Sequence, residues 1–135
     1  MNRLIQVSGK YLLDTNIVVA LFAGDGSVQE KLAGASRVFV PSIVLGELHY
    51  GARKSGQTEK NLARLEEFAA SSAVAACDAG TAREYGIIKD QLRKRGRPIP
   101  ENDIWIAAIV RQHDFVLVTR DNHFSEIEDL KMEKW

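Results

Sequence analysis

Four acidic residues stand where apolar stretches of this chain meet polar ones. Asp14 closes the run "KYLLD", Glu47 lies inside "SIVLGELHYG", Asp103 opens "NDIWIAAIV", and Asp121 follows "FVLVTR". Carboxylates gathered at one place repel and raise one another's pKa, and no Lys or Arg within these motifs is placed to neutralise them. A divalent cation would. Hard, oxygen-rich sites suit Mg²⁺ or Mn²⁺ with waters completing the coordination, and such ions lower the pKa of a water and grip both oxygens of a phosphodiester displacement. An acidic set without cysteine or histidine argues against structural zinc.

Each acid also has a plainer role open to it. Asp14 and Asp103 are good helix N-caps, and Asp121 in "TRDNH" reads as a turn residue. Glu47 is flanked by Val44, Leu45 and Leu48, where an unpaired buried glutamate is costly, so a surface-facing role suits it less well. Asp78 reads more simply as a helix start than as a fifth acid. His49, His113 and His123 lack metal-ligand spacing and are expected at the surface or behind the site. "GDGS" (Gly24 to Ser27) reads as a turn, and Walker, GxSxG and GxGxxG motifs are absent.

The elements that must position these acids follow from periodicity. Short apolar runs predict strands at "KYLLD", "RVFVP" (Arg37 to Pro41), Phe115 to Val118, more weakly "AVAAC" (Ala73 to Cys77), and a last alternating one in "LKMEKW". Between them "NIVVALFAG" predicts a helix ended by Gly24, and "SIVLGELHYGARKS" a helix begun at Pro41, a residue tolerated in a first turn. Thr58 is the expected N-cap of an amphipathic helix carrying Leu62, Leu65 and either Phe68 or Ala69 on one face. Tyr85, Ile88 and Leu92 recur at helical spacing, and the almost wholly apolar "NDIWIAAIVRQH" predicts a helix buried between other elements. Strands alternating with helices predict an α/β fold with a parallel sheet covered on both faces. In such sheets functional groups gather beyond the carboxyl ends of the strands. Glu47 lies roughly 9 Å along its helix from Pro41, within reach of that edge for a long side chain.

The chain of 135 residues, 45% hydrophobic, is read as one domain with no convincing linker. Eighteen Lys plus Arg balance eighteen Asp plus Glu, so no overall charge advertises a nucleic-acid partner, but basic residues crowd Ala52 to Lys60 and Lys89 to Arg97. The single Cys77, beside Ala73 to Ala76, is expected as a core thiol and suits a reducing compartment. "MNRLIQVSG" is too short and polar for a signal peptide, and no run approaches the roughly 20 apolar residues that span a bilayer, which predicts a cytoplasmic protein. Residues 1–9 precede the first strand and are expected as a flexible lead or an extra strand.

Taken together, "LLDTNIVVALF", "VPSIVLGELHYGARKS", "NDIWIAAIVRQHDFVLVTRDNHF" and "LKMEKW" resemble the PIN-domain toxins of the VapC type, with the nearest likeness to the tRNA(fMet)-specific endonuclease VapC group. The likeness runs from about Lys10 to the C-terminus; DTN, E-L-x-Y-G, D-x-x-I-A-A and T-x-D-x-x-F occurring in order make it specific. The resemblance implies a three-layer α/β/α sandwich with a parallel sheet of four to five strands. It also implies an Mg²⁺- or Mn²⁺-dependent endoribonuclease, the toxin of a type II toxin–antitoxin pair, whose antitoxin lays its C-terminal segment over the active groove. Position by position, Asp14, Glu47, Asp103 and Asp121 match the family's acidic quartet, and Asn16 and Thr119 its supporting polar residues. A homodimer through the helices spanning Ser42 to Ser71 is implied as well.

On this reading Asp14 and Asp103 are the main metal ligands, Glu47 and Asp121 complete the pocket, and Arg53, Lys54, Arg93 and Arg97 bind flanking phosphates of an RNA such as tRNA. A receiver-like switch would need adjacent acids after the first strand, where Leu13 precedes a lone Asp14. A catalytically silent RNA-binding PIN domain is the other alternative.

Overall fold

In a computed structural model of the chain, residues 9–135 are described; the expectation for the N-terminal lead, as far as Ser8, lies outside them. The elements run β1 (Tyr11–Leu13), α1 (Thr15–Phe22), α2 (Gly26–Gly34), β2 (Val38–Pro41), α3 (Ser42–Arg53), α4 (Thr58–Ala70), β3 (Ala73–Ala75), α5 (Ala79–Arg95), α6 (Glu101–His113), β4 (Val116–Val118) and β5 (Met132–Glu133). A 3-10 turn over Asn122–Glu126 follows β4. The five strands form one parallel sheet in the order β3-β2-β1-β4-β5, the central layer of a three-layer α/β/α sandwich.

The strand order carries the functional consequence. From β1 the chain steps outward through β2 to β3, then returns past β1 to build β4 and β5 on the other side. The direction of winding therefore reverses between β1 and β4, the place where an open α/β sheet leaves a crevice beyond its strand ends. Leu12 pairs with Leu117 and Leu13 with Val118, and all four are essentially inaccessible to solvent. That register brings the residues after Leu13 and Val118 side by side.

Buried α6 is the keystone of the core. Ile104 and every residue from Ile106 to Val110 are buried, as its all-round apolar sequence requires. Its neighbour α5 is fixed at both ends, by a capping box between Asp78 and Thr81 and by Gly96 in the left-handed region (φ 65°). Asp78 is thus the helix start that its sequence context suggests. Among the described residues no helix is long and apolar enough to cross a membrane.

Four sequence expectations need correction. "GDGS" is more than a turn: Gly24 (φ 81°) ends α1, but Asp25 then caps α2 by accepting from Val28 N at 3.1 Å. Only Val28 of α2 is buried, so its apolar stripe is too thin to announce a helix. Cys77 is exposed, because β3 is an edge strand that ends at Ala75 and already leaves Ala73 and Val74 open to solvent. Pro41 ends β2 and flanks α3 instead of opening it. Thr58 is the first residue of α4, and its hydroxyl donates back to the Arg53 and Ser55 carbonyls, closing the loop.

Candidate active site

Asp14 leaves β1 in an extended conformation (φ −76°, ψ 164°) and begins α1, so one residue is both strand end and helix cap. It is 4% exposed. Its Oδ1 accepts from Thr15 N at 2.8 Å, and its Oδ2 accepts from the Thr119 hydroxyl at 2.8 Å and Asn16 Nδ2 at 3.3 Å. Burial pushes this carboxyl above its usual range, and the charges of Glu47 and Asp121 push the same way. The Thr119 and Thr15 hydrogen bonds oppose the rise. Asn16 and Thr119 thus hold Asp14 as supporting groups, and Asn16 Oδ1 also accepts from Arg120 N at 3.2 Å.

Glu47 reaches the same edge from the middle of α3. Thr15 donates its hydroxyl to Glu47 Oε1 at 2.6 Å, tying α3 to the start of α1. Asp103 is the third residue of α6 and makes no capping bond, so the plainer reading does not apply to it. Its pKa is raised to about 6 by burial and then by the charge of Asp14; contact with His123 counteracts this in part, and Asp121 adds to it. Asp121 caps the 3-10 turn through His123 N (2.9 Å), while its own N–H donates to Thr119 Oγ1 (2.9 Å). Its turn role and its place in the site coexist. Asp14, Asp103 and Asp121 all lie at or within the first turn of a helix, where the positive end of the helix dipole moderates their crowding.

Two participants carry no sequence signal that singled them out. Thr15 lies inside DTN but gains its role only from contact with α3. His123 places Nδ1 3.1 Å from Asp121 Oδ1 and 3.4 Å from Asp103 Oδ2, although its spacing matches no ligand pattern. The other histidines lie elsewhere: His49 is 3.6 Å from Glu66, and His113 packs edge-on to Phe115.

The basic residues divide. Arg93 and Arg97 are exposed but paired, with Asp90 (2.6 Å) and Glu126 (3.7 Å). Arg53 and Lys54 are exposed at the end of α3 with no acidic partner among the described residues; Lys54 Nζ lies 4.9 Å from the Tyr50 ring centroid. Asp78 follows the edge strand β3, two strands from β1, and accepts from Thr81 N and Gln112 Nε2. That geometry removes the receiver-like reading.

The residues present fit a divalent cation. Among the described residues no Lys or Arg pairs with Asp14, Glu47, Asp103 or Asp121. The nearest candidate by sequence, Arg120, is turned aside to Asp25 (3.0 Å) and the Trp135 backbone oxygen (2.9 Å). Glu47 Oε2, Asp103 Oδ1 and Asp121 Oδ2 accept no hydrogen bond from the described residues, which leaves three hard oxygen donors without a protein partner among them. Ligand atoms of Asp103, Asp121 and His123 all lie within 4.8 Å of one another.

The PIN domain family model matches residues 11–130. Ribonuclease VapC2 of Haemophilus influenzae is 36% identical over 129 residues, covering 93% of this chain and 98% of its own length. The tRNA(fMet)-specific endonuclease VapC of Shigella flexneri is 34% identical with the same coverage. Among solved structures, VapBC2 of Rickettsia felis bound to a promoter DNA fragment superposes with a TM-score of 0.86 at 32% identity, covering 93% of this chain and 98% of the matched one. DNA-bound VapBC of Salmonella typhimurium gives 0.87 at 32% identity and the same coverage. A family match over most of the chain and relatives above 30% identity agree: the chain belongs to the PIN-domain family, among the VapC ribonucleases.

Proposed function

We propose that the protein is an endoribonuclease toxin that hydrolyses an RNA phosphodiester, with tRNA as substrate and Mg²⁺ or Mn²⁺ as cofactor, in the cytoplasm. The observation that carries this reading is the convergence of Asp14, Glu47, Asp103 and Asp121, drawn from four separate stretches of chain, without a Lys or Arg counter-charge. The relatives named for ribonuclease and tRNA(fMet)-specific endonuclease activity supply the substrate class.

Asp14 and Asp103 would be the main ligands of the ion, with Glu47 and Asp121 completing the pocket directly or through water. When bound, a divalent cation offsets the carboxylate charges, favours ionisation of an attacking water and stabilises charge on the phosphate. The protein's own part is positioning. Thr15, Asn16 and Thr119 lock Asp14 by donating to both its oxygens, and Thr15 fixes Glu47 through one oxygen while the other has no partner among the described residues. Arg53 and Lys54, at the end of the helix that carries Glu47 and without an acidic partner among the described residues, would meet the flanking phosphates, with Arg93 and Arg97 farther along the strand of RNA.

A cleft of about 340 Å³ lined by Thr15, Val19, Phe22, Leu48 and Leu65 opens beside Glu47. Its apolar wall, with Val19 52% exposed, suits the C-terminal segment of a cognate antitoxin, in keeping with the VapBC complexes of similar fold. A homodimer through α3 and α4 would cover Tyr50, which is 67% exposed.

The test is cleavage of tRNA(fMet) with Mn²⁺ by the wild type and by Asp14→Asn and Asp103→Asn, with folding checked by circular dichroism. Loss of cleavage in folded variants is expected. Unchanged activity in both would overturn the metal-nuclease reading, and absence of cleavage by the folded wild type would favour a silent RNA-binding domain.

A further inference from the structure

We propose that His123 is itself a ligand of the divalent cation, through its imidazole nitrogen, and that it tilts the site toward Mn²⁺ over Mg²⁺. This rests on the metal-dependent reading above and goes beyond the acidic quartet. His123 Nδ1 stands 3.1 Å from Asp121 Oδ1 and 3.4 Å from Asp103 Oδ2. In an octahedron with metal–ligand bonds of about 2.1 Å, adjacent ligand atoms are about 3.0 Å apart, so these separations are close to the edges of one coordination sphere. The backbone supports the placement: His123 N donates to Asp121 Oδ1 (2.9 Å), and buried Phe124 anchors the turn that presents the ring. The ring is also 53% exposed, so it is not committed to the protein interior.

The consequence is selectivity. Mg²⁺ strongly prefers oxygen and dehydrates reluctantly, whereas Mn²⁺ accepts a neutral imidazole nitrogen beside carboxylates. An all-carboxylate crevice would discriminate little between the two; one nitrogen among the donors raises affinity for Mn²⁺ alone. The competing role for His123 is to donate a hydrogen bond to both acids and merely position them. That role gives the ring no bond to the ion and no preference between ions.

The experiment uses the full chain with Mn²⁺ or Mg²⁺ alone, without RNA. Pulsed EPR of the Mn²⁺-loaded protein is expected to show ¹⁴N coupling from a directly bound imidazole, lost in His123→Gln. Because His49 and His113 lie apart from the acids, that coupling reports His123. Calorimetric titration is expected to show Mn²⁺ affinity falling by about tenfold or more in His123→Gln, the scale on which groups of a metal site act, while Mg²⁺ affinity changes less than about twofold. The metal-free variant should melt within a degree or two of the wild type, as suits an exposed side chain. Mn²⁺ binding without nitrogen coupling, or equal weakening for both ions, would overturn the assignment of His123 and leave the nuclease reading standing. Failure of the wild type to bind either ion would overturn both.

Discussion

The Thr119 hydroxyl donates to Asp14 Oδ2 at 2.8 Å across a separation of 105 residues. Its oxygen in turn accepts from Asp121 N at 2.9 Å. One hydroxyl therefore couples two acids of the crevice, and it can do so because β1 and β4 are parallel neighbours whose last residues, Leu13 and Val118, are paired.

Thr119→Val keeps the shape and removes the donor. Asp14, buried and already raised, loses a bond that favours its charged form, so its pKa rises further. The variant is expected to lose about 1–3 kcal/mol of stability at neutral pH and most of its cleavage rate. Thr119→Ser, which restores the hydroxyl, is expected to recover both. Chemical denaturation and single-turnover cleavage of tRNA check the pair.

The pH dependence of the metal-free protein follows from Asp103. Its folded pKa of about 6 lies above the ordinary value of 3.8, so between these values the folded state holds a proton that the unfolded chain has released. The contribution to stability is complete below about pH 4 and is lost as pH rises through about 6. Asp103→Asn is therefore expected to flatten the fall in melting temperature between pH 4 and 7 and to melt higher than the wild type at pH 7.5. A wild-type and variant pair that descend in parallel would contradict the assignment.

Metal should reverse that penalty. Saturating Mn²⁺ is expected to raise the melting temperature of the wild type, by about 2.7 kcal/mol of stability at 100 times the dissociation constant. The gain should be larger at pH 7.5 than at pH 5, where Asp103 is protonated, and EDTA should abolish it. Differential scanning fluorimetry measures each.

Thr15→Ala separates orientation from folding. It removes the 2.6 Å bond that fixes Glu47 Oε1 while leaving the backbone contact of Thr15 N with Asp14. Cleavage is expected to fall severalfold, stability by about 1 kcal/mol, and Thr15→Ser should restore the rate. An unaltered rate would mean that Glu47 needs no such support.

Phe124 is fully buried behind the turn that carries Asp121 and His123. Phe124→Ala is expected to cost about 3–5 kcal/mol by opening a cavity, and Phe124→Leu a fraction of that. If the turn depends on this anchor, Mn²⁺ affinity should fall in both folded variants in step with the stability lost.

Much of the fold was legible because its signals are local. The apolar runs Tyr11–Leu13 and Val116–Val118 have the length and content of buried parallel strands, and the all-round apolar face of α6 allowed only burial. The acids at the ends of those runs were legible for the same reason, since a carboxylate beside a buried strand or inside an apolar helix requires a partner. Helix α2 was not, because a single buried Val28 leaves no periodic stripe. The Cys77 expectation failed because alanines and a valine read alike in a central strand and at an edge, and only the order of strands places β3 at the margin.

Residue types, their spacing along the chain and the breaks between elements were thus determined by the sequence itself, since each depends on a few neighbouring residues. Tertiary structure alone decided that Thr15 meets Glu47, that Arg120 turns to Asp25 instead of the acids, and that His123 stands beside Asp103 and Asp121. The physical reason is that such contacts join segments up to a hundred residues apart through strand register and helix packing, and no local pattern encodes the direction in which a side chain will finally point.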